Sequence, residues 1–210
     1  MSVGDRLGSD IDAVAIGASA GGVNALSVLL PALPADAAAA ILVVLHLPRD
    51  KPSVLTDVFA HKCPLAVREA EDKEPVAPGT VYFAPSNYHL LVDRGPQLVL
   101  SVDDLVHHSR PSIDVLFESA AEVYGPRMLG IVLTGANEDG ANGLAAVHDA
   151  GGITVVQDPE TAYSPQMALS AIKVRPPDLV LPLEGIARLL GMLRTRRPPP
   201  RKFTIDHRMG

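Results

Sequence analysis

Strands alternating with helices along the whole chain predict an α/β protein, a three-layer αβα, doubly wound and mostly parallel sheet with a small antiparallel hairpin appendage. Three observations carry that expectation. Continuous apolar runs at 13–16, 38–45, 128–133 and 153–156 read as strands buried on both faces. Most are followed by a stretch with apolar residues at helical spacing. The composition, 47% hydrophobic and 20% charged with no tryptophan, suits short aliphatic strands packed beneath helices.

The elements follow in order. Residues 13–16 (AVAI) form a strand that stops at Gly17-Ala18-Ser19-Ala20-Gly21-Gly22, and Val23 to Leu30 continues as a helix. The break at Leu33-Pro34-Ala35-Asp36 precedes the run 38–45, a second strand with His46 at its carboxyl end. A helix is predicted over 53–62 and a short strand over 65–68. From Pro75 to Leu100 the character changes. Short apolar runs at 81–83, 89–92 and 98–100, separated by Pro, Gly, Asn and Asp, predict two or three strands in hairpin connection. Ser109-Arg110-Pro111-Ser112 reads as a helix start and 113–123 as its helix. The strand 128–133 then leads into a loop through Asp139-Gly140 and a helix over 141–150, closed by Gly151 in the left-handed conformation. A strand at 153–156, a helix at 165–173, a strand at 179–181 and a helix at 185–193 complete the pattern. Residues 12–193 are expected to be one domain. The basic segment 194–210 is expected to be a solvated tail, since its charges have no apolar partners.

Charge and cysteine content exclude several functions. A net charge of −6 argues against general nucleic-acid binding. One cysteine, Cys63, permits no internal disulfide. No metal pattern or cofactor motif is evident, the spacing of His61 and Cys63 being accidental. Residues 1–11 lack an apolar signal core, and no run reaches membrane-spanning length, so a cytoplasmic location without membrane insertion is expected.

Two chemistries compete at Ser19. A dinucleotide loop would carry G-x-G-x-x-G, but serine stands in the place of the middle glycine and no Walker lysine follows. The alternative is G-x-S-x-G, in which small neighbours let a serine hydroxyl project from a sharp strand-to-helix turn. A bland reading makes Ser19 a helix-start serine. A serine nucleophile needs an imidazole to take its proton and a carboxylate to orient that imidazole. Ser19, His46 and Asp139 all lie at carboxyl ends of predicted parallel strands, where open α/β sheets bind ligands. For Asp139 the competing reading is a carboxylate satisfying backbone donors at a helix N-terminus. Asp158 reads as an ordinary turn residue. The order Ser, His, acid differs from that of the α/β-hydrolases, so the elbow motif does not place the chain among them.

Six stretches then carry a resemblance: residues 16–22 (IGASAGG), 43–48 (VVLHLP), 81–85 (VYFAP), 110–114 (RPSID), 133–141 (LTGANEDGA) and 157–162 (QDPETA). In collinear order they resemble the catalytic domain of the chemotaxis receptor methylesterases of CheB type. That resemblance implies a serine-dependent protein-glutamate methylesterase that also deamidates glutamine. Ser19 would be the nucleophile, His46 the general base and Asp139 its orienting acid, with oxyanion donors at the backbone of Ala20 and Ala136. Arg110 would bind substrate, or equally would serve a structural role beside Pro111. The implied partners are the cytoplasmic helices of methylated chemoreceptors. Members often carry a receiver domain ahead of the esterase. Here about ten residues precede the first strand, so a stand-alone esterase or one controlled by a separate regulatory protein is expected. Three departures stand against the pattern: Ala20 replaces the usual threonine, and Ala136-Asn137 replace Met-Gly. They keep open a rival of another class, a non-catalytic module that binds a receptor or signalling partner.

Overall fold

A computed structural model describes Gly4, Arg6, Leu7 and residues 11–47 and 55–193. Its centre is a seven-stranded sheet in the order β3-β4-β2-β1-β7-β8-β9. The strands are β1 (Ala13–Ala18), β2 (Ala40–Leu45), β3 (Ala66–Glu69), β4 (Thr80–Phe83), β7 (Met128–Val132), β8 (Ile153–Gln157) and β9 (Leu179–Leu181). Every pairing among them is parallel. A separate two-stranded antiparallel sheet joins β5 (His89–Asp93) to β6 (Gln97–Ser101).

The hairpin thus contains two strands. The third run read there, at 81–83, instead enters the main sheet as β4, between β2 and β3. A three-residue apolar run bounded by turn residues has the same appearance in a hairpin and in a buried parallel strand. Burial decides the matter: all four residues of β4 are buried, as a central strand requires.

Alternation along β1 shows why the sheet is covered on both faces. Val14, Ile16 and Ala18 point into one core, with Leu26 and Leu29 of α1 (Gly22–Leu29), Phe59 of α2 (Leu55–Ala60) and Ile186 of α6 (Leu183–Leu190). Ala13 and Ala15 point into the other, with Phe117 of α3 (Ile113–Tyr124), Leu144 of α4 (Ala141–Asp149) and Met167 of α5 (Gln166–Val174). Each fully buried aliphatic or aromatic side chain contributes roughly 1.5–3 kcal/mol against exposure. The hairpin packs on α3 and is tied there by the Val92 amide, which donates to Ser119 Oγ at 3.2 Å.

Helix boundaries differ from the pattern reading by up to three residues at their ends. α2 stops at Ala60, leaving His61 in a turn, and its predicted first residues lie outside the described ones. The expected left-handed glycine does close α4, with Gly151 at φ +83°. The basic segment 194–210 also lies outside the described residues.

The topology bears directly on function. β1 has β2 on one side and β7 on the other, so the chain leaves β1 one way and returns on the opposite flank. At such a reversal the loops after neighbouring strands part and leave a crevice. The loops after β1, β2 and β7 carry Ser19, His46 and Asp139 respectively.

Candidate active site

The elbow begins where β1 ends. The Ser19 amide donates to the Thr134 carbonyl at 2.9 Å, and the Ser19 carbonyl accepts from the Gly22 amide at 2.8 Å, closing a tight turn. Gly21 sits at φ +82°, and a Cβ there would stand 2.6 Å from Tyr163 Cβ, so the position requires glycine both for conformation and for space. Thr134 Oγ1 donates to the Ala20 carbonyl at 2.8 Å and accepts from the Ser164 amide at 2.9 Å, locking the elbow to the loop after β8. Ser19 is half-buried.

His46 follows β2, and its amide donates to the Ala18 carbonyl at 3.0 Å, one residue before the serine. Its imidazole Nε2 lies 2.9 Å from Asp139 Oδ2. A carboxylate accepts, so Nε2 carries the proton and Nδ1 is left with the lone pair. Among the described residues no hydrogen bond joins Ser19 Oγ to the imidazole; such links are often long until substrate binds.

Asp139 is fully buried. Besides His46, its carboxylate accepts from the Ser112 hydroxyl at 2.8 Å, the Ile113 amide at 2.7 Å and the Asp114 amide at 3.0 Å. Those amides open α3, so the carboxylate occupies the N-terminus of that helix rather than of α4, the helix that follows it in sequence. The side chain therefore satisfies helix donors and also meets the imidazole. Burial by itself would raise its pKa. The hydrogen bonds from His46, from the Asp114 and Ile113 amides and from Ser112 outweigh burial and hold the carboxyl below its ordinary value.

The other assigned positions fall as follows. The Ala20 and Ala136 amides find no acceptor among the described residues; Ala20 directly follows the serine, and a Cβ on Gly135, one residue before Ala136, would stand 3.0 Å from Ser19 Cβ. Arg110 makes four hydrogen bonds to its own protein: Nε and Nη2 donate to Asn87 Oδ1, and Nη1 donates to the carbonyls of Val102 and Asp103. Its guanidinium is a clamp between two loops. Asp158 makes a turn, with Oδ1 accepting from the Glu160 amide at 3.0 Å. Among the described residues no cluster of three or more His, Cys, Asp or Glu side chains is placed to hold a metal.

Three contributors were not legible as such. Ser112 read only as a helix start, yet its hydroxyl binds the acid. His89 read as a hairpin residue. Its Nδ1 accepts from the Ser112 amide at 3.2 Å, so Nε2–H donates to the Asp104 carbonyl at 3.0 Å, and the ring ties the start of β5 both to the start of α3 and to the segment after β6. Asp114 belongs to the stretch 110–114, where the sequence gives it no role of its own. The one signal available was the S-x-D spacing at a helix start, which marks candidates for backbone capping but not their partners.

A doubly wound sheet with a serine elbow, an imidazole and a buried carboxylate on three adjacent strand ends has the layout of a serine hydrolase. Comparison with known proteins narrows the class. The CheB methylesterase family description matches residues 14–190. A protein of Leptospira interrogans, described as a protein-glutamate methylesterase/protein-glutamine glutaminase, is 45% identical over 178 residues, 85% of this chain and 92% of the relative. One of the same description from Anaeromyxobacter dehalogenans is 46% identical over 180 residues, 83% of this chain but 50% of that longer protein. The crystal structure of the Thermotoga maritima CheB methylesterase catalytic domain superposes with a TM-score of 0.81 at 35% identity, over 86% of this chain and 97% of that one. The chain belongs to the CheB methylesterase family.

Proposed function

We propose that residues 12–193 form a protein-glutamate methylesterase domain acting on the cytoplasmic helices of methylated chemoreceptors, with Ser19, His46 and Asp139 as its catalytic residues. The observation that carries this reading is the His46–Asp139 contact of 2.9 Å at the strand end beside Ser19. A carboxylate kept ionised inside the protein and aimed at an imidazole is what a serine nucleophile requires.

In this mechanism Ser19 Oγ attacks the carbonyl carbon of a glutamate γ-methyl ester, and its proton passes to His46 Nδ1. Negative charge develops on the ester oxygen, where the open amides of Ala20 and Ala136 supply donors. Collapse of the tetrahedral intermediate breaks the C–O bond to the methoxy group, which takes the proton from His46 and leaves as methanol. Water then gives a proton to His46 and attacks the acyl carbon, releasing the glutamate carboxylate and restoring Ser19. A glutamine amide enters the same cycle and releases ammonia. The substitutions at 20, 136 and 137 leave these backbone donors in place, since the amide belongs to the main chain. Arg110 contributes through the loops it clamps.

A cytoplasmic site of action suits such a substrate, and among the described residues no helix is long and apolar enough to cross a membrane. The test is methanol release from a methylated receptor fragment, with Ser19→Ala alongside. Turnover is expected to fall by about a thousandfold or more in the variant. A fluorophosphonate probe should label wild type at Ser19. Failure of both release and labelling would leave the non-catalytic binding module as the better account.

A further inference from the structure

Helices α3 and α4 exchange their N-terminal caps. Asp139, just ahead of α4, accepts from the Ile113 and Asp114 amides that open α3. Asp114, in the first turn of α3, accepts through Oδ1 from the Gly140 amide at 2.9 Å and the Gly143 amide at 2.6 Å, which open α4. Residue 114 therefore grips residue 139 from two sides. Its amide holds the acid's carboxylate, and its carboxylate holds the peptide immediately after the acid. The exchange needs the two helices close together. Gly143 permits this, because a Cβ there would stand 2.9 Å from Asp114 Cα and 2.7 Å from Phe117 Cβ. Both carboxylates are nearly or fully inaccessible, at 4% for Asp114 and 0% for Asp139. On its outer side Asp114 Oδ2 meets His107 Nε2 at 3.3 Å, and His107 Nδ1 lies 3.3 Å from Glu138 Oε1.

We propose that Asp114 is the positioning residue of the acid. By fixing the Asp139–Gly140 peptide it sets the direction from which Asp139 reaches His46. The loop over 134–140 contains no helix or strand of its own to do this. Without the Oδ1 acceptor the Gly140 and Gly143 amides lose their partner inside the protein, and the loop is free to turn toward water. The carboxylate would then leave the imidazole by a distance small for the fold and large for proton transfer. The proposal rests on the assignment of Asp139 as the partner of His46 given above.

The experiment compares Asp114→Ala, Asp114→Asn and Asp114→Glu in the full chain. Asn keeps Oδ1 in place for both amides, Ala removes it, and Glu keeps the charge but displaces the acceptor by one methylene. Alanine is expected to lower kcat about 10- to 100-fold with KM within about twofold, and asparagine to restore kcat to within about threefold. Glutamate should fall well below asparagine, which keeps the test available if the alanine variant does not fold. A second readout needs no turnover. The downfield proton resonance of His46 Nε2–H bonded to Asp139 should persist in wild type and Asn and be lost or broadened in Ala or Glu. Asp178→Ala serves as a stability control. It removes the acceptor of the Thr154 amide and hydroxyl at the far side of the sheet, and should lower the melting temperature without changing kcat. Alanine that keeps both kcat and the downfield proton, or glutamate that outperforms asparagine, would overturn the proposal. If wild type shows no esterase turnover at all, the functional assignment fails, while the histidine resonance still decides the role of Asp114.

Discussion

The acid corner and the serine elbow lie on neighbouring strand ends and are built on opposite plans. Around Asp139 every carboxylate oxygen is engaged, by an imidazole, a hydroxyl and two helix amides, and the group is shut away from water. Around Ser19 the main chain is equally well fixed, but the amides of Ala20 and Ala136 find no acceptor among the described residues. In the proposed mechanism the first region holds a charge that is present throughout the cycle. The second, in the same mechanism, keeps donors in reserve for a charge that exists only while the ester is being broken. Preorganisation takes both forms, and in each the dipoles are set before substrate arrives.

The largest test of the comparison is Asp139→Asn, which keeps the shape of the corner and removes its charge. Turnover should fall about 10³- to 10⁴-fold, measured as methanol release, because the amide neither orients nor stabilises an imidazolium as the carboxylate does. The same variant gives a signature in stability. Because the wild-type carboxyl is held below its ordinary value, its ionised form stabilises the fold above the ordinary range. That contribution is lost as pH falls through the lowered value. Asparagine does not titrate, so the gap in urea stability between wild type and variant should shrink as pH drops below about 4. Asp114 is shifted the other way. Burial raises its carboxyl first, the Gly143 amide partly offsets this, and the charge of Asp139 adds to the rise. Its contribution runs in the opposite sense with pH, and Asp139→Asn lessens it by removing that charge, which offsets part of the gap above the ordinary range.

A middling effect is expected from Gly21→Ala, which attacks the elbow and spares the corner. The new Cβ must accept φ +82° and a 2.6 Å approach to Tyr163 Cβ. A stability loss of about 1–3 kcal/mol is expected from denaturant melts. Fluorophosphonate labelling should slow while the downfield histidine proton stays in place, since that proton reports only on the corner. The smallest effect belongs to Ser112→Ala. It removes one of several hydrogen bonds to Asp139 together with the cap on the Val115 amide. A destabilisation of about 1 kcal/mol by thermal melting is expected, with activity lowered severalfold. A much larger loss of activity would mean that the corner depends on one bond rather than on their sum.

What could be read from the sequence follows the same division. The strand-end placement of Ser19 and His46 is a local consequence of apolar runs that stop at Gly17 and at His46, and parallel alternation then puts both on one edge. The position of Asp139 after the strand 128–133 is legible for the same reason. Its partners are not. That Asp139 would cap α3 and Asp114 would cap α4 depends on two helices meeting, and no spacing within either one announces it. Arg110 illustrates the same limit: its sequence setting permits a substrate contact, while its hydrogen bonds go to Asn87, Val102 and Asp103. The place of β4 is not legible because three apolar residues between turns carry no information about which strands will flank them.

The β1–β7 pairing joins Ala13 to Met128, so the middle of the sheet closes a loop spanning more than half the chain. Closing long loops is entropically slow, and such contacts form late relative to local ones. Serine and histidine lie on the early side of that closure and the acid on the late side. With the catalytic residues proposed above, a nascent or refolding chain carries a serine and an imidazole but no activated nucleophile until β7 docks. Recovery of esterase activity becomes a clock for completion of the sheet, lagging behind the appearance of helical signal.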